Sequence, residues 1–273
     1  MKMRIAISGA GGKMGRALLR IVNGSQRFEL SGAVESPKSH LVGIDAGKLI
    51  SIDNVGIEVQ PSLKNVTDRF DVLVDFSTPQ ATLENVRTCI DLGVPIVIGT
   101  TGFKKYDEEE IFISSKKIPI CMAANYSAAL NLCFELVERA TQVLGDDADI
   151  EIIEAHHKEK VDAPSGTALA LGKLIADGLG QDFGEIAEYG RHGNSGPREP
   201  NAIGFSVIRA GDIVGEHKVM FALDGESIEV SHRASSREAF SLGALRAARW
   251  IIGREPALYS MRDVIAEVEK VKK

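Results

Sequence analysis

Over roughly the first 125 residues, short β-branched runs alternate with helical stretches, and this alternation leaves few folds open to the chain. Strands are expected at 4–8, 28–35, 71–76, 95–98 and 119–123, with helices at 13–23, 79–92 and 105–116 between them. Strands separated by helices cannot pair as hairpins; they pair in parallel, through crossover units. Thr78 followed by Pro79 marks a helix start, an oxygen cap before a proline at the first helical position. The acidic run from Asp107 to Glu110 suits a solvated first turn, where the helix dipole favours negative charge.

Beyond about residue 127 the pattern changes. A helix over 128–143 leads to a strand at 149–155, a polar loop and a second helix from Thr167. Leu171, Leu174, Ile175 and Leu179 supply that helix with its apolar stripe. After a Gly/Pro-rich loop at 189–201, three runs at 204–209, 218–223 and 227–232 read as an antiparallel sheet, helped by the Asp224-Gly225 turn. A helix carrying Phe240, Ala244, Ala247 and Ile251 follows, then a short tail whose Lys270, Lys272 and Lys273 suit a helix C-terminus. At about 150 residues per domain, 273 residues make two modest domains. The expected boundaries are 1–127, 128–239 and 240–273, the last segment consisting of helices that pack back on the first domain.

With 38 acidic and 32 basic residues the chain carries a net charge of −6. No basic stripe is available for nucleic acid or an acidic membrane. At 44% apolar residues the chain is too hydrophobic to be disordered. No apolar run approaches the ~18 residues of a membrane span, and the N-terminus enters a strand directly, unlike a secretory signal. Cys89, Cys121 and Cys133 are odd in number and have no metal-type spacing, so they read as reduced thiols of a cytoplasmic core.

The first strand runs into Gly9-Ala10-Gly11-Gly12-Lys13-Met14-Gly15 and then a helix. Glycines there permit a tight turn and a close approach to a pyrophosphate, and the helix start adds amides and partial positive charge. Glu35 lies twenty positions beyond Gly15, at the end of the second strand, where a carboxylate can bind both hydroxyls of an adenosine ribose. A dinucleotide is therefore expected. A carboxylate also disfavours a 2′-phosphate, the next residue is Ser36, and the nearest cation is Lys38; the pattern leans to NADH, with NADPH accessible through Lys38. The strand ends Gly99-Thr100-Thr101-Gly102 and Ala123-Ala124-Asn125-Tyr126-Ser127 belong to the same crevice, where small residues and hydroxyls suit ribose and nicotinamide.

The densest chemistry runs from Glu154 to Thr167. His156 and His157 are adjacent on an extended chain and point to opposite sides, so they do not ligate one metal together. A histidine suits proton transfer at neutral pH, and Lys160 offers a proton and a charge. Ser165-Gly166-Thr167 at a helix start can hold an anion.

The motifs GAGGKMG (9–15), GTTGF (99–103), AANYS (123–127), EAHHKEKVDAPSGTA (154–168), RAGDIVGEH (209–217) and SHRASSR (231–237) resemble, over nearly the whole length, those of the bacterial 4-hydroxy-tetrahydrodipicolinate reductases, also called dihydrodipicolinate reductases, of lysine and diaminopimelate biosynthesis. The resemblance implies an α/β chain: an N-terminal Rossmann-like parallel sheet and a second α+β domain with an open mixed or antiparallel sheet. It implies that Gly9, Ala10, Gly11, Gly12, Lys13 and Met14 cradle the pyrophosphate and Glu35 the ribose. Gly99, Thr100, Thr101 and Gly102, with Ala123, Ala124, Asn125 and Tyr126, would line the nicotinamide side. His156 is implied as proton donor or acceptor, Lys160 as a proton donor, His157 as a substrate contact, and Gly166 and Thr167 as binders of a carboxylate on a cyclic dicarboxylate substrate. It further implies NADH or NADPH as hydride source, no metal, a homotetramer formed through the strands after residue 203, and closure of the second domain onto the cofactor. Two positions depart from the family pattern: Ser36 where NADPH-preferring members often carry arginine, and Tyr126 in place of a common phenylalanine, whose hydroxyl offers an extra contact. Arg237 reads as a structural salt bridge. The competing readings are another dehydrogenase of the same fold and an NAD(H)-binding regulator; the latter leaves the histidine–lysine cluster without a purpose.

Overall fold

The computed structural model describes residues 1–67, 69–236 and 238–266; Arg237, Lys270, Lys272 and Lys273 lie outside the described residues. The chain divides into two compact units, residues 1–128 with those from Glu238 onward, and residues 129–237. In chain order the first unit opens with β1 (Met3–Ser8), α1 (Lys13–Asn23), β2 (Phe28–Val34), β3 (Val59–Gln60), β4 (Val72–Asp75), α2 (Pro79–Leu92), β5 (Ile96–Ile98), α3 (Lys105–Ser114) and β6 (Ile120–Met122). Then come α4 (Ala128–Leu144), β7 (Asp149–His156), α5 (Gly166–Leu179), α6 (Phe183–Ile186), β8 (Ala187–Tyr189), β9 (Ile203–Arg209), β10 (Gly215–Leu223) and β11 (Glu226–Ala234). The segments α7 (Glu238–Ile251), β12 (Leu258–Tyr259) and α8 (Met261–Ala266) complete the first unit.

Among the described residues the first unit holds a parallel sheet ordered β12-β6-β5-β4-β1-β2-β3. Its strands are apolar on both faces because helices cover both. Ile5, Ile7, Val72, Val74 and Val97 pack with Leu18, Leu19, Ala244, Leu245 and Ile251 of α1 and α7. The alternate residues Ala6, Leu73, Ile96 and Ile98 pack with Leu83, Val86, Cys89 and Ile111 of α2 and α3. Strand order reverses at β1, which has β2 on one side and β4 on the other, and ligands bind in such sheets outside the carboxyl ends of the strands at this switch point. Local chemistry sets the helix limits. Thr78 caps the start of α2 with Pro79 in its first turn, and Gly93, at φ +65°, ends it in the left-handed conformation. Asp107, expected to be solvated, is buried and accepts from the Lys104 amide at 2.9 Å, capping α3.

The second unit holds a mixed sheet ordered β11-β10-β7-β9-β8. The strands at 204–209, 218–223 and 227–232, expected to form an antiparallel sheet among themselves, do so only for β10 and β11. β7 lies between β9 and β10; β9 pairs with it in parallel and β10 antiparallel. Residues 210–214 therefore cross over the end of β7, and the Ala210 amide bonds the His156 carbonyl at 3.0 Å. Local turn signals do not report which strand is inserted between two others. Leu130, Cys133 and Val137 of α4 and Leu171 and Ile175 of α5 bury one face, against Ile150, Ile152, Phe205, Val219 and Phe221. On the other face Ile153 and Met220 are half-buried and Ile208 is exposed. Among the described residues no helix is long and apolar enough to cross a membrane.

Candidate active site

The first unit gathers its sequence-designated residues along one sheet edge. Gly9 has φ +74°, and a Cβ there would lie 2.3 Å from the Phe76 carbonyl oxygen; one on Gly15 would lie 2.1 Å from the Gly9 carbonyl oxygen. Only glycine lets this loop fold so tightly onto the start of α1. The N-cap of α1 is Gly12, which has no side chain to occupy the first amides. Those amides and the helix dipole are therefore disposed toward an anion. A cleft of about 500 Å³ opens there, lined by Gly9, Gly12, Glu35, Ser36, Phe76 and Ser77 among others. Glu35 reaches back over the loop: one carboxylate oxygen accepts from the Gly11 amide at 2.8 Å and the other from Ser36 at 3.1 Å. Each oxygen retains a lone pair for a hydroxyl. Ala10 is buried, Met14 half-buried and Lys13 exposed. A loop without β-carbons, an uncapped helix start and a carboxylate at the next strand end fit a dinucleotide.

The loops after β5 and β6 divide between scaffold and surface. Thr100 is buried: its hydroxyl accepts from the Ser77 amide at 3.0 Å and from Thr82 at 2.9 Å. That network centres on Asp75, fully buried, which accepts from Ser77 and from the Asn85 amide group at 2.9 Å. Burial pushes the Asp75 carboxyl up, against the opposing pull of Asn85, Ser77 and Thr82. Tyr126, expected to line the nicotinamide side, is 1% exposed, and its hydroxyl lies 2.8 Å from the Ile98 carbonyl and 2.9 Å from that of Cys121. The extra contact of its hydroxyl thus ties the ends of β5 and β6, because an aromatic ring at this position fills the core beneath them. The Asn125 side chain accepts from the Ser127 amide at 2.8 Å. Gly99 and Ala123 are half-buried, and Thr101, Gly102 and Ala124 are exposed. The cleft wall at Phe76 and Ser77, at the end of β4, was not singled out from sequence, and Thr78 was read there only as a helix cap; the place of β4 beside β1 puts all three at the cleft.

In the second unit the site forms where β7 ends. Residues two apart on a strand share a face, and His156 Nδ1 lies 2.6 Å from Glu154 Oε2. Glu154 is 1% exposed. Arg209, opposite His156 on β9, donates to both Glu154 oxygens at 2.8 Å, and the Ser165 amide donates to Oε1 at 2.9 Å. Burial pushes the Glu154 carboxyl up, but Arg209, His156 and the Ser165 amide outweigh it and hold it below the ordinary carboxylate range. His217, opposite Glu154 on β10, lies 3.1 Å through Nε2 from Ser165 Oγ, and its ring meets His156 edge-on at 5.2 Å. Ser165 caps α5 by accepting from the Ala168 amide. The amides of Gly166 and Thr167, first in the helix, remain for an anion. Lys160 lies in the loop with both Asp162 oxygens at 2.8 Å, and His157 is half-buried. Ser165, expected with Gly166 and Thr167 to hold an anion, spends its hydroxyl on the helix cap; Glu154, Arg209 and His217 were not assigned roles from sequence. The Glu154–His156 spacing carried a signal in its strand parity; the other two residues come from neighbouring strands.

Burial, and then the neighbouring His156, push His217 down to about 4 from an ordinary 6.5. Glu154 opposes this shift, and His232 and Lys160 reinforce it. A histidine neutral in the fold stabilises less as acid protonates the unfolded chain, so stability is full above about pH 6.5 and declines toward the folded value. His232, lowered by burial, acts in the same direction. Urea unfolding should show a loss of about 2 kcal/mol from His217 between about pH 7.5 and about pH 5. That loss should shrink in His217→Gln; an unchanged loss would place its origin elsewhere.

A dinucleotide cleft on a parallel sheet and a carboxylate–imidazole pair on a second, mixed sheet fit a nicotinamide-dependent oxidoreductase. Two family models match the chain: dihydrodipicolinate reductase, N-terminus, over residues 3–126, and dihydrodipicolinate reductase, C-terminus, over residues 129–265. The 4-hydroxy-tetrahydrodipicolinate reductase of Acinetobacter baumannii strain AYE is 51% identical over 262 residues, 96% of each chain. Among solved structures, the dipicolinate-bound dihydrodipicolinate reductase from Paenisporosarcina sp. TG-14 has a TM-score of 0.75 at 23% identity, over 95% of this chain and 98% of that one. A myo-inositol dehydrogenase from Corynebacterium glutamicum shares the fold at a TM-score of 0.54 and 14% identity, over 97% and 93%. The chain belongs to the dihydrodipicolinate reductase family. Family and fold together imply NAD(P)H as the dinucleotide.

Proposed function

We propose that this chain reduces 4-hydroxy-tetrahydrodipicolinate to tetrahydrodipicolinate, with loss of water, in the diaminopimelate route to lysine. The observation that carries the reading is the Glu154–His156 pair beside the open amides of Gly166 and Thr167, within a chain 51% identical to a reductase of that name. The bound coenzyme supplies the hydride. Gly9 to Met14 and Glu35 hold its adenosine and pyrophosphate half, and Gly99 to Gly102 with Ala123 to Tyr126 form the rest of the crevice, Thr100 and Tyr126 as scaffold. The amides of Gly166 and Thr167 take a substrate carboxylate, assisted by His157. Hydride arrival leaves negative charge on the conjugated ring, and His156, with Lys160, delivers the proton that quenches it.

The direct test is loss of reduced-nicotinamide absorbance with substrate generated in place by a synthase from pyruvate and aspartate semialdehyde. Rapid synthase-dependent oxidation is expected; coenzyme binding without oxidation would overturn the reading in favour of a regulator. NADH is the preferred coenzyme, because Glu35 is followed by Ser36 rather than a cation. Ser36→Arg should move the ratio of kcat/KM values toward NADPH by about tenfold, equivalent to about 1.4 kcal/mol. An unmoved ratio would show that Ser36 does not set the preference. The face of the second sheet carrying Ile153, Ile208 and Met220 supports assembly as a homotetramer. Three buried free cysteines suit a cytoplasmic location.

A further inference from the structure

We infer that Glu154 is a positioning residue for proton transfer: clamped by Arg209 and the Ser165 amide, it holds His156 in the Nδ1–H form and leaves Nε2 as the nitrogen that exchanges a proton. The inference rests on the proposed reductase reading only for its kinetic consequence. Its geometric basis is independent of substrate.

Glu154 already has two bonds from Arg209 and one from Ser165, so its charge is compensated without histidine. The contact to His156 is additional and, at 2.6 Å, shorter than the others. A carboxylate kept ionised by a guanidinium can only accept, so the proton of this bond sits on Nδ1. The ring is also held elsewhere. His217 packs edge-on against it, while Gly215, where a Cβ would stand only 3.1 Å from Nε2, leaves that nitrogen uncrowded. Turning the ring over would set a carbon against Glu154 and forfeit the bond. An orienting carboxylate fixes the tautomer and stabilises the imidazolium that a proton donor must carry, and the loss of such a partner in other enzymes reduces turnover greatly with little change in geometry.

The tautomer is read by nitrogen-15 NMR of the ligand-free protein, the His156 signals being assigned by their loss in His156→Gln. The expected result is Nδ1 protonated and Nε2 bare in the neutral ring; Nε2 protonated and Nδ1 bare would overturn the proposal, with no need for a variant. In Glu154→Gln the tautomer preference should weaken and kcat fall by about 100-fold, with KM for both substrates changed by less than about threefold. Glu151→Gln is the control, since Glu151 lies on the opposite face of β7 in ion pairs with Arg191 and Arg198. It should leave kcat and tautomer unchanged. A Glu154→Gln enzyme turning over within about threefold of the parent would also overturn the proposal. If the parent itself shows no turnover, the reductase reading fails, while the tautomer measurement still decides the role of Glu154.

Discussion

His156→Gln should lower kcat by about 10²- to 10⁴-fold, the range lost when a positioned acid–base group is removed. Coenzyme affinity should survive. His156 stands at the end of β7 in the second unit, whereas the glycine loop, Glu35 and the cleft belong to the first. The measurement pairs steady-state turnover with coenzyme Kd from nicotinamide fluorescence. A large fall in kcat with Kd changed by less than about twofold assigns His156 to chemistry. Near-normal turnover across pH would remove it from proton transfer and leave the task to Lys160. A joint loss of turnover and affinity would mean that the substitution had disturbed the fold.

Arg209→Met should cost about 3 to 5 kcal/mol in stability, the range for breaking a buried ion pair from one side. Glu154 is 1% exposed and Arg209 supplies two of its hydrogen bonds, so the variant would leave a carboxylate buried without its cation. The stability that Glu154 contributes as an anion is present above the ordinary carboxylate range and lost as pH falls through its depressed folded value. With Arg209 gone, burial is left opposed only by His156 and the Ser165 amide. Urea unfolding followed on the second unit would measure the loss, and the double variant Arg209→Met with Glu154→Leu should recover most of it, because no unpaired charge remains. A loss below about 1 kcal/mol in the single variant would show that the pair is solvated and not buried.

Much of the fold was legible because its signals are local. The helices expected over 13–23 and 79–92 have those limits in the structure, each set by residues at its own ends: Gly12 and Gly24 for one, Thr78, Pro79 and Gly93 for the other. The two-residue strands β3 and β12 and the three-residue β8 carried no such signal. Each exists only because a neighbouring strand offers a free edge, and pairing of that kind has no local pattern. The antiparallel reading of the late strands failed for the same reason: β9 is followed by β10 in sequence, but β7 separates them in space.

The candidate site divides along the same line. Sequence by itself determined the strand–glycine–helix turn, the acid at the end of β2, the histidine–lysine loop and the helix start at Ser165, since each is a property of neighbouring residues. Tertiary structure alone decided which side chains serve as scaffold and which act as partners. Tyr126 and Thr100 sit in motifs expected from sequence to face a ligand, yet burial turns their hydroxyls to strand ends and to the Asp75 network. Arg209 lies 55 positions from Glu154, and His217 lies 52 from Ser165. Only the register of β9 and β10 against β7 brings them together, and register is settled by the packing of a whole sheet face, a sum over many distant residues that no short stretch of sequence contains.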